Sequence, residues 1–340
     1  MALFNPGYLK EKSKRNLYGN LENKENIPYF SIYCLKAMGA FFIICIHCYA
    51  PWPIFPIIRT AVPFFFMISG FFLYRDDRNQ SITTCIKSFR KIFWLTLYAN
   101  IFYYLCFYVP NDLFPFTSTK NLIKCIFFGN KLGFHLWYLN AYLETLIIVI
   151  IFQSLNKLNF LWFIIPVFVI WGLLTGKYQF LLPCFPNDLL VSRNFLTMGI
   201  PCFGIGWLIK KYHIRILSII RYPILFTTFL LILSEFEISL LRYSDNFIGG
   251  DYIISTYPLA ASILITCIKF PLFGKRSIME YVGKNWATYI YIFHILVLNL
   301  FSRLNSKYLE LPAFTTPFIV FSVTIFFIIV WQKSSEKSFK

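Results

Sequence analysis

Residues 30–50 read FSIYCLKAMGAFFIICIHCYA, an apolar run broken by one lysine, Lys36, and one histidine, His47. A helix needs about 20 apolar residues to cross the hydrocarbon of a bilayer, and this run supplies that length. The residues before it, 1–29, are polar and carry Lys10, Lys12, Lys14, Arg15 and Lys24. They lack an apolar core close to the start and read as a cytoplasmic tail ahead of an uncleaved first helix. Nine further apolar candidates follow, at 54–74, 88–109, 135–153, 160–175, 193–210, 221–241, 252–270, 286–303 and 312–331. The segment 160–175 is the weakest, being short and containing Pro166.

Composition agrees with this pattern. The chain has 340 residues, 58% hydrophobic and 14% charged, with a mean hydropathy of +0.61. Soluble domains carry about 25% charged residues. The expected fold is all-α: a polytopic membrane bundle of about ten transmembrane helices with both termini cytoplasmic. The organisation is a tail at 1–29, a membrane domain at 30–331 and a second tail at 332–340. No repeat is visible, and no segment outside the spans is long enough for a separate core.

The net charge of +17 would suggest nucleic acid in a soluble domain. Here the basic residues alternate with apolar runs and fall mostly on the side that holds the N-terminus. That is the positive-inside pattern of a membrane protein facing anionic lipid, so no nucleic-acid partner is expected. The segment 110–134, with Lys120, Lys124 and Lys131, dissents and suits an amphipathic helix on the membrane surface. The nine cysteines show no repeated pairing pattern and mostly sit in apolar segments. They read as small hydrophobes, with no structural disulfide and no metal site expected.

Ionisable residues within spans are costly and therefore functional candidates. They are Lys36, His47, Glu144, Glu235, Glu237 and His294. Lys36 and His47 are eleven residues apart, which on a helix is three turns plus about 20°. They share one face, about 16 Å apart along the axis. A cation at the inner end and an imidazole in the outer half suit an elongated anion entering from the cytoplasm. The alternative is a lysine snorkelling to the inner headgroups and a histidine bonded to a neighbouring helix.

Lys36-x10-His47 on a first membrane helix resembles the Arg/Lys-x10-His motif of the acyltransferase-3 family, membrane proteins that transfer acyl groups to carbohydrates. Similar segments follow in order: RTAVPFFFMISGFFLY (Arg59–Tyr74), KSFRK (Lys87–Lys91), HLWYLNAYLE (His135–Glu144), RNFLTMGIPCFGIGWLIKK (Arg193–Lys211) and VGKNWATYIYIFH (Val282–His294). The resemblance implies acetyl-CoA, or another acyl-CoA, as donor, without a metal. It implies a saccharide acceptor at the outer face and a place in the bacterial inner membrane.

On that resemblance Lys36, Lys87 and Arg90 form a cytoplasmic cluster for the phosphates of coenzyme A. Lys36 stands where the motif more often has Arg, and so lacks the bidentate fork. His47 is the expected base, taking the proton of the attacking hydroxyl. Glu144 either orients His47 or pairs with Lys36; the sequence leaves both open. Ser69 is a possible nucleophile, but Ser69-Gly70 reads better as a close helix contact. Arg59, His135, Trp137, Arg193 and His294 are candidates for contacting the acceptor, with interfacial anchoring or packing as the plainer alternative. His213 is expected to be solvated, and Glu235 and Glu237 interfacial. The rival functions are a transporter or flippase for an envelope lipid or sugar, and a relative that has lost catalysis.

Overall fold

Where no water reaches, every backbone N–H and C=O must be paired within the chain, and a single apolar run meets that demand only as a helix. The computed structural model describes residues 28–49, 54–111, 118–129, 132–184, 189–244 and 252–338. Among these the secondary structure is entirely helical. The expected tail therefore lies almost wholly outside the described residues.

The α-helices are α1 (Phe30–Cys48), α2 (Phe55–Arg59), α3 (Ala61–Leu73), α4 (Arg78–Phe107), α5 (Thr119–Phe128), α6 (Trp137–Ser154), α7 (Leu158–Phe163) and α8 (Ile165–Leu174). They continue as α9 (Leu189–Ser192), α10 (Ile200–Lys211), α11 (His213–Ile219), α12 (Pro223–Tyr243), α13 (Thr256–Lys269), α14 (Ile278–Asn285), α15 (Ala287–Leu304) and α16 (Thr316–Ser338). Among the described residues, six helical stretches are long and apolar enough to cross a membrane: those built on α1, α4, α6, α12, α15 and α16.

The other four expected spans carry shorter or broken helices, and local chemistry explains each. In 54–74 the chain turns at Thr60, whose hydroxyl donates to the Ile57 carbonyl at 2.6 Å, dividing α2 from α3. In 160–175 Pro166 sits in the first turn of α8, where its missing N–H costs nothing. The break from α7 falls at Ile164. The segment 193–210 opens with a π-turn, Phe195–Gly199, capped by the Asn194 side chain, before α10 begins. In 252–270 the first residues are spent outside the helix. The Ile254 and Ser255 N–H groups donate to the Glu237 carboxylate at 2.9 and 3.0 Å, and the Tyr178 hydroxyl donates to it as well.

Glu237, expected at the interface, thus ties α12 to the entrance of α13. Glu237→Ala is expected to cost about 2 kcal/mol, since three donors lose a charged acceptor. Thermal unfolding in detergent checks this, and an unchanged midpoint would show the contact to be idle.

Two further segments are helical. The tail expected at 332–340 is helical to Ser338, because no glycine or proline follows Pro317 to stop α16. Within 110–134 the ten-residue α5 forms and packs on α6.

Helix α1 is the centre of the bundle, touching α3, α13, α14, α15 and α16. The widest contact is between α3 and α10. There a Cβ on Gly70 would lie 2.0 Å from the Phe203 carbonyl oxygen, and one on Gly206 would lie 1.9 Å from that of Met67. Reciprocal glycines let the two backbones touch, as small residues do between helices in lipid. Ser69-Gly70 therefore serves helix packing, as its residues suggested. Of the six long helices, α1, α6 and α15 are about half buried, and α4, α12 and α16 are mostly exposed. The second group lies on the outside of the bundle, and the first, with α3 and one face of α4, carries the site.

Candidate active site

One face of α1 sets the geometry. Lys36, Ile43 and His47 lie within about 40° of each other around the helix. A cavity of about 380 Å³ follows this face, lined by Lys36 and Ile43. Ser69 of α3, Ser88 and Lys91 of α4, Tyr138 and Tyr142 of α6 and Thr288 and Tyr291 of α15 complete its polar lining. The cavity carries two ammonium groups and three phenol rings. Ser88 and Tyr142 bridge α4 and α6 at 3.2 Å, while the Ser69 hydroxyl donates to the Phe65 carbonyl at 2.9 Å.

Beyond the tyrosines lie three imidazoles. The His47 ring is 5.3 Å from that of His294, at 31° between planes, and His294 is 5.2 Å from His135, at 81°. Phe134 closes one side, 5.1 Å from His47. His294 is fully buried, and its Nδ1 lies 2.7 Å from the Tyr291 carbonyl and 3.1 Å from that of Ile290. Carbonyls only accept, so Nδ1 carries the proton and Nε2 is left as an acceptor. Nε2 closes no hydrogen bond among the described residues. It is therefore available to a donor.

His135 is 1% exposed, packed edge-on to Tyr103 at 4.8 Å. Its carbonyl receives the Tyr291 hydroxyl. The sequence suggested an interfacial position facing an acceptor; the structure puts it behind His294, inside the bundle. The 3₁₀ turn Phe134–Leu136 that precedes α6 swings the ring inward.

The remaining expected residues are placed elsewhere. Glu144 is half-buried on α6, about 160° around the helix from Tyr142. Among the described interactions it meets neither His47 nor Lys36, so neither expected pairing forms. Lys87 and Arg90 are exposed, and neither lines the cavity; Lys91 does. The phase of α4 accounts for this. Lys91 lies about 60° from Ser88 around the helix, whereas Lys87 and Arg90 lie about 100° and 160° away. Arg59 stacks over Phe55 at 4.7 Å, and Trp137 and Arg193 are half-buried. None of these three lines the cavity among the described residues. His213 is tied to the Lys210 carbonyl at 2.7 Å on the polar connection after α10.

Sequence reasoning missed Lys91, Tyr138, Tyr142 and Tyr291. The signal for Lys91 was its helical phase with Ser88. For Tyr291 it was the spacing Tyr-x-x-His, which puts both rings on one side of α15.

No group of three or more His, Cys, Asp and Glu suited to hold a metal ion occurs among the described residues.

A bundle of long apolar helices with two lysines and three tyrosines lining a cavity between them is that of an integral membrane protein. A family model described as an acyltransferase domain, that of the acyltransferase-3 family, matches residues 29–331. The chain belongs to this family and is a membrane acyltransferase. No curated protein and no solved structure matches it.

Proposed function

We propose that the protein is an O-acetyltransferase of the bacterial inner membrane. It takes acetyl from cytoplasmic acetyl-CoA, or a larger acyl group from its acyl-CoA. The acceptor is a hydroxyl of an envelope saccharide such as lipopolysaccharide, capsule, exopolysaccharide or a lipid-linked precursor. In this reading the chain crosses the membrane ten times with both ends in the cytoplasm. The observation that carries it is the cavity that holds Lys36 and Lys91 and follows the α1 face toward the three histidines.

Two like charges in one cavity are an arrangement that an anion stabilises. Lys36 and Lys91 hold the pyrophosphate of the donor, and the uncharged pantetheine arm lies along Ile43 and the tyrosines. The thioester then reaches His47. A saccharide hydroxyl attacks the thioester carbonyl while His47 takes its proton. The new C–O bond forms, the C–S bond breaks, and the thiolate leaves with the proton held by His47. His294 Nε2 accepts a hydrogen bond from the other His47 nitrogen and so steadies the imidazolium.

Lys36→Gln is expected to weaken acetyl-CoA binding roughly 10- to 100-fold, the worth of one charge-assisted hydrogen bond. Lys36→Arg should retain most of it. Calorimetric titration of the protein in nanodiscs checks this, and unchanged affinity in Lys36→Gln would remove the lysine from the donor site.

A further inference from the structure

The seam between α4 and α6 holds two polar bridges on one line. Ser88 meets Tyr142 beside the large cavity, and the buried Gln153 donates from Nε2 to the Ser81 hydroxyl at 2.9 Å. Ser81 and Ser88 are seven residues apart on α4, and Tyr142 and Gln153 eleven apart on α6. Both spacings return to within about 20° of the same face. The second bridge therefore lies about 10 to 16 Å further toward the Lys36 end of the bundle. Cys85, Leu146 and Val149 are buried between the two.

A second, smaller pocket of about 190 Å³ opens at the Gln153 bridge, next to the C-terminal end of α3. Leu73 lines the large cavity, and the next residue, Tyr74, lines the small one. Arg75, Arg78 and Lys211 surround this pocket. Arg75 donates from one guanidinium nitrogen to the Phe72 and Tyr74 carbonyls at 2.8 and 2.6 Å. One guanidinium nitrogen of Arg78 donates to the Ser154 carbonyl. Each guanidinium is thereby fixed while keeping further N–H groups to offer. The one carboxylate in the lining, Asp76, accepts the Tyr74 hydroxyl at 2.7 Å, so the cations outnumber it.

Gln153 is 3% exposed, lines the pocket, and leaves Oε1 without a hydrogen-bond partner among the described residues. With the amide turned over, the Ser81 hydroxyl would satisfy Oε1 and leave the Nε2 N–H groups of this pocket-lining residue free to donate. A buried amide, two anchored guanidiniums and an ammonium make an anion site. Its volume is below the roughly 300–1,000 Å³ of a pocket that encloses a whole small molecule, so it suits one end of a longer ligand.

We propose that Arg75, Arg78, Lys211 and Gln153 bind the 3′-phosphate of coenzyme A, while the large cavity takes the pyrophosphate and the pantetheine arm. This rests on the donor assignment above. It gives the enzyme a means of distinguishing coenzyme A from carriers that lack the 3′-phosphate.

The test is equilibrium binding of coenzyme A and of dephospho-coenzyme A to the full chain in nanodiscs. The wild type is expected to prefer coenzyme A by about tenfold or more. The double variant Arg75→Gln/Arg78→Gln and, separately, Lys211→Gln should lose most of that preference while keeping the affinity for dephospho-coenzyme A. Retention of the latter shows that the variants are folded. Lys211→Gln decides the matter if the arginine variant does not fold. Equal binding of both ligands by the wild type, or a preference unchanged in the variants, overturns the 3′-phosphate site and leaves the donor assignment standing. A wild type that binds neither ligand overturns the donor assignment, and this inference with it.

Discussion

His47→Ala is expected to lower kcat for acyl transfer by about 10²- to 10⁴-fold, the usual contribution of a positioned general base. The KM for the acyl donor should stay within about twofold, because its phosphates are held by Lys36 and Lys91, some three helical turns away. That split is the diagnostic part. A histidine that merely fills space would lower stability and donor affinity together. His294→Ala should reduce kcat less, since it removes only the acceptor that steadies His47. His294→Gln, which retains a side-chain acceptor, should recover part of the loss. The measurement is release of free thiol from acetyl-CoA by purified protein, supplied with an extract of envelope saccharides, at several donor concentrations. An unchanged kcat in His47→Ala would end its assignment as the base.

Gly206→Val should prevent assembly of the bundle. Its Cβ alone would lie 1.9 Å from the Met67 carbonyl oxygen, and the reciprocal approach at Gly70 is 2.0 Å. Both obstructions are backbone, which cannot rotate aside as a side chain would. Relief requires α3 and α10 to separate along their widest contact. Overpacking of a core commonly costs about 1–3 kcal/mol, and more where the backbone must move; a loss above about 3 kcal/mol is expected at this seam. Ser69, Tyr138 and the cavity lean on the same seam, so activity falls with it. Size-exclusion profiles of the detergent-solubilised variant and its unfolding midpoint check this. A monodisperse variant with the wild-type midpoint would contradict the backbone contact.

What the sequence could reveal follows from what each feature depends on. Hydropathy and length are local, so the positions of the apolar segments were legible, and so was the weakness at Pro166. Helix length was less so. Thr60 and the entrance to α13 break or delay their helices through hydrogen bonds that depend on side-chain geometry. The second of these involves Glu237 from a different helix.

The same division holds for the site. Lys36 and His47 are on one helix, and their spacing alone put them on one face. Glu144 and Lys87-x-x-Arg90 depend on how α6 and α4 are rotated against α1. That rotation is set by packing, and it turns Lys91 rather than Lys87 or Arg90 to the cavity. His135 depends on a 3₁₀ turn that sends the ring inward. A belt of aromatic residues at an interface has the same composition, so the sequence alone favoured the interface.

The measurement that bears most directly on the proposed reaction is mass spectrometry of envelope saccharides from cells making the wild-type protein, His47→Ala, or neither. Acyl transfer with His47 as the base predicts saccharides heavier by one acetyl group, or by another single acyl group, with the wild type alone. No acyl increment with either protein, when both are present in the membrane of a host whose saccharides carry free hydroxyls, would contradict it. An equal increment with wild type and His47→Ala would keep the enzyme but place its base elsewhere.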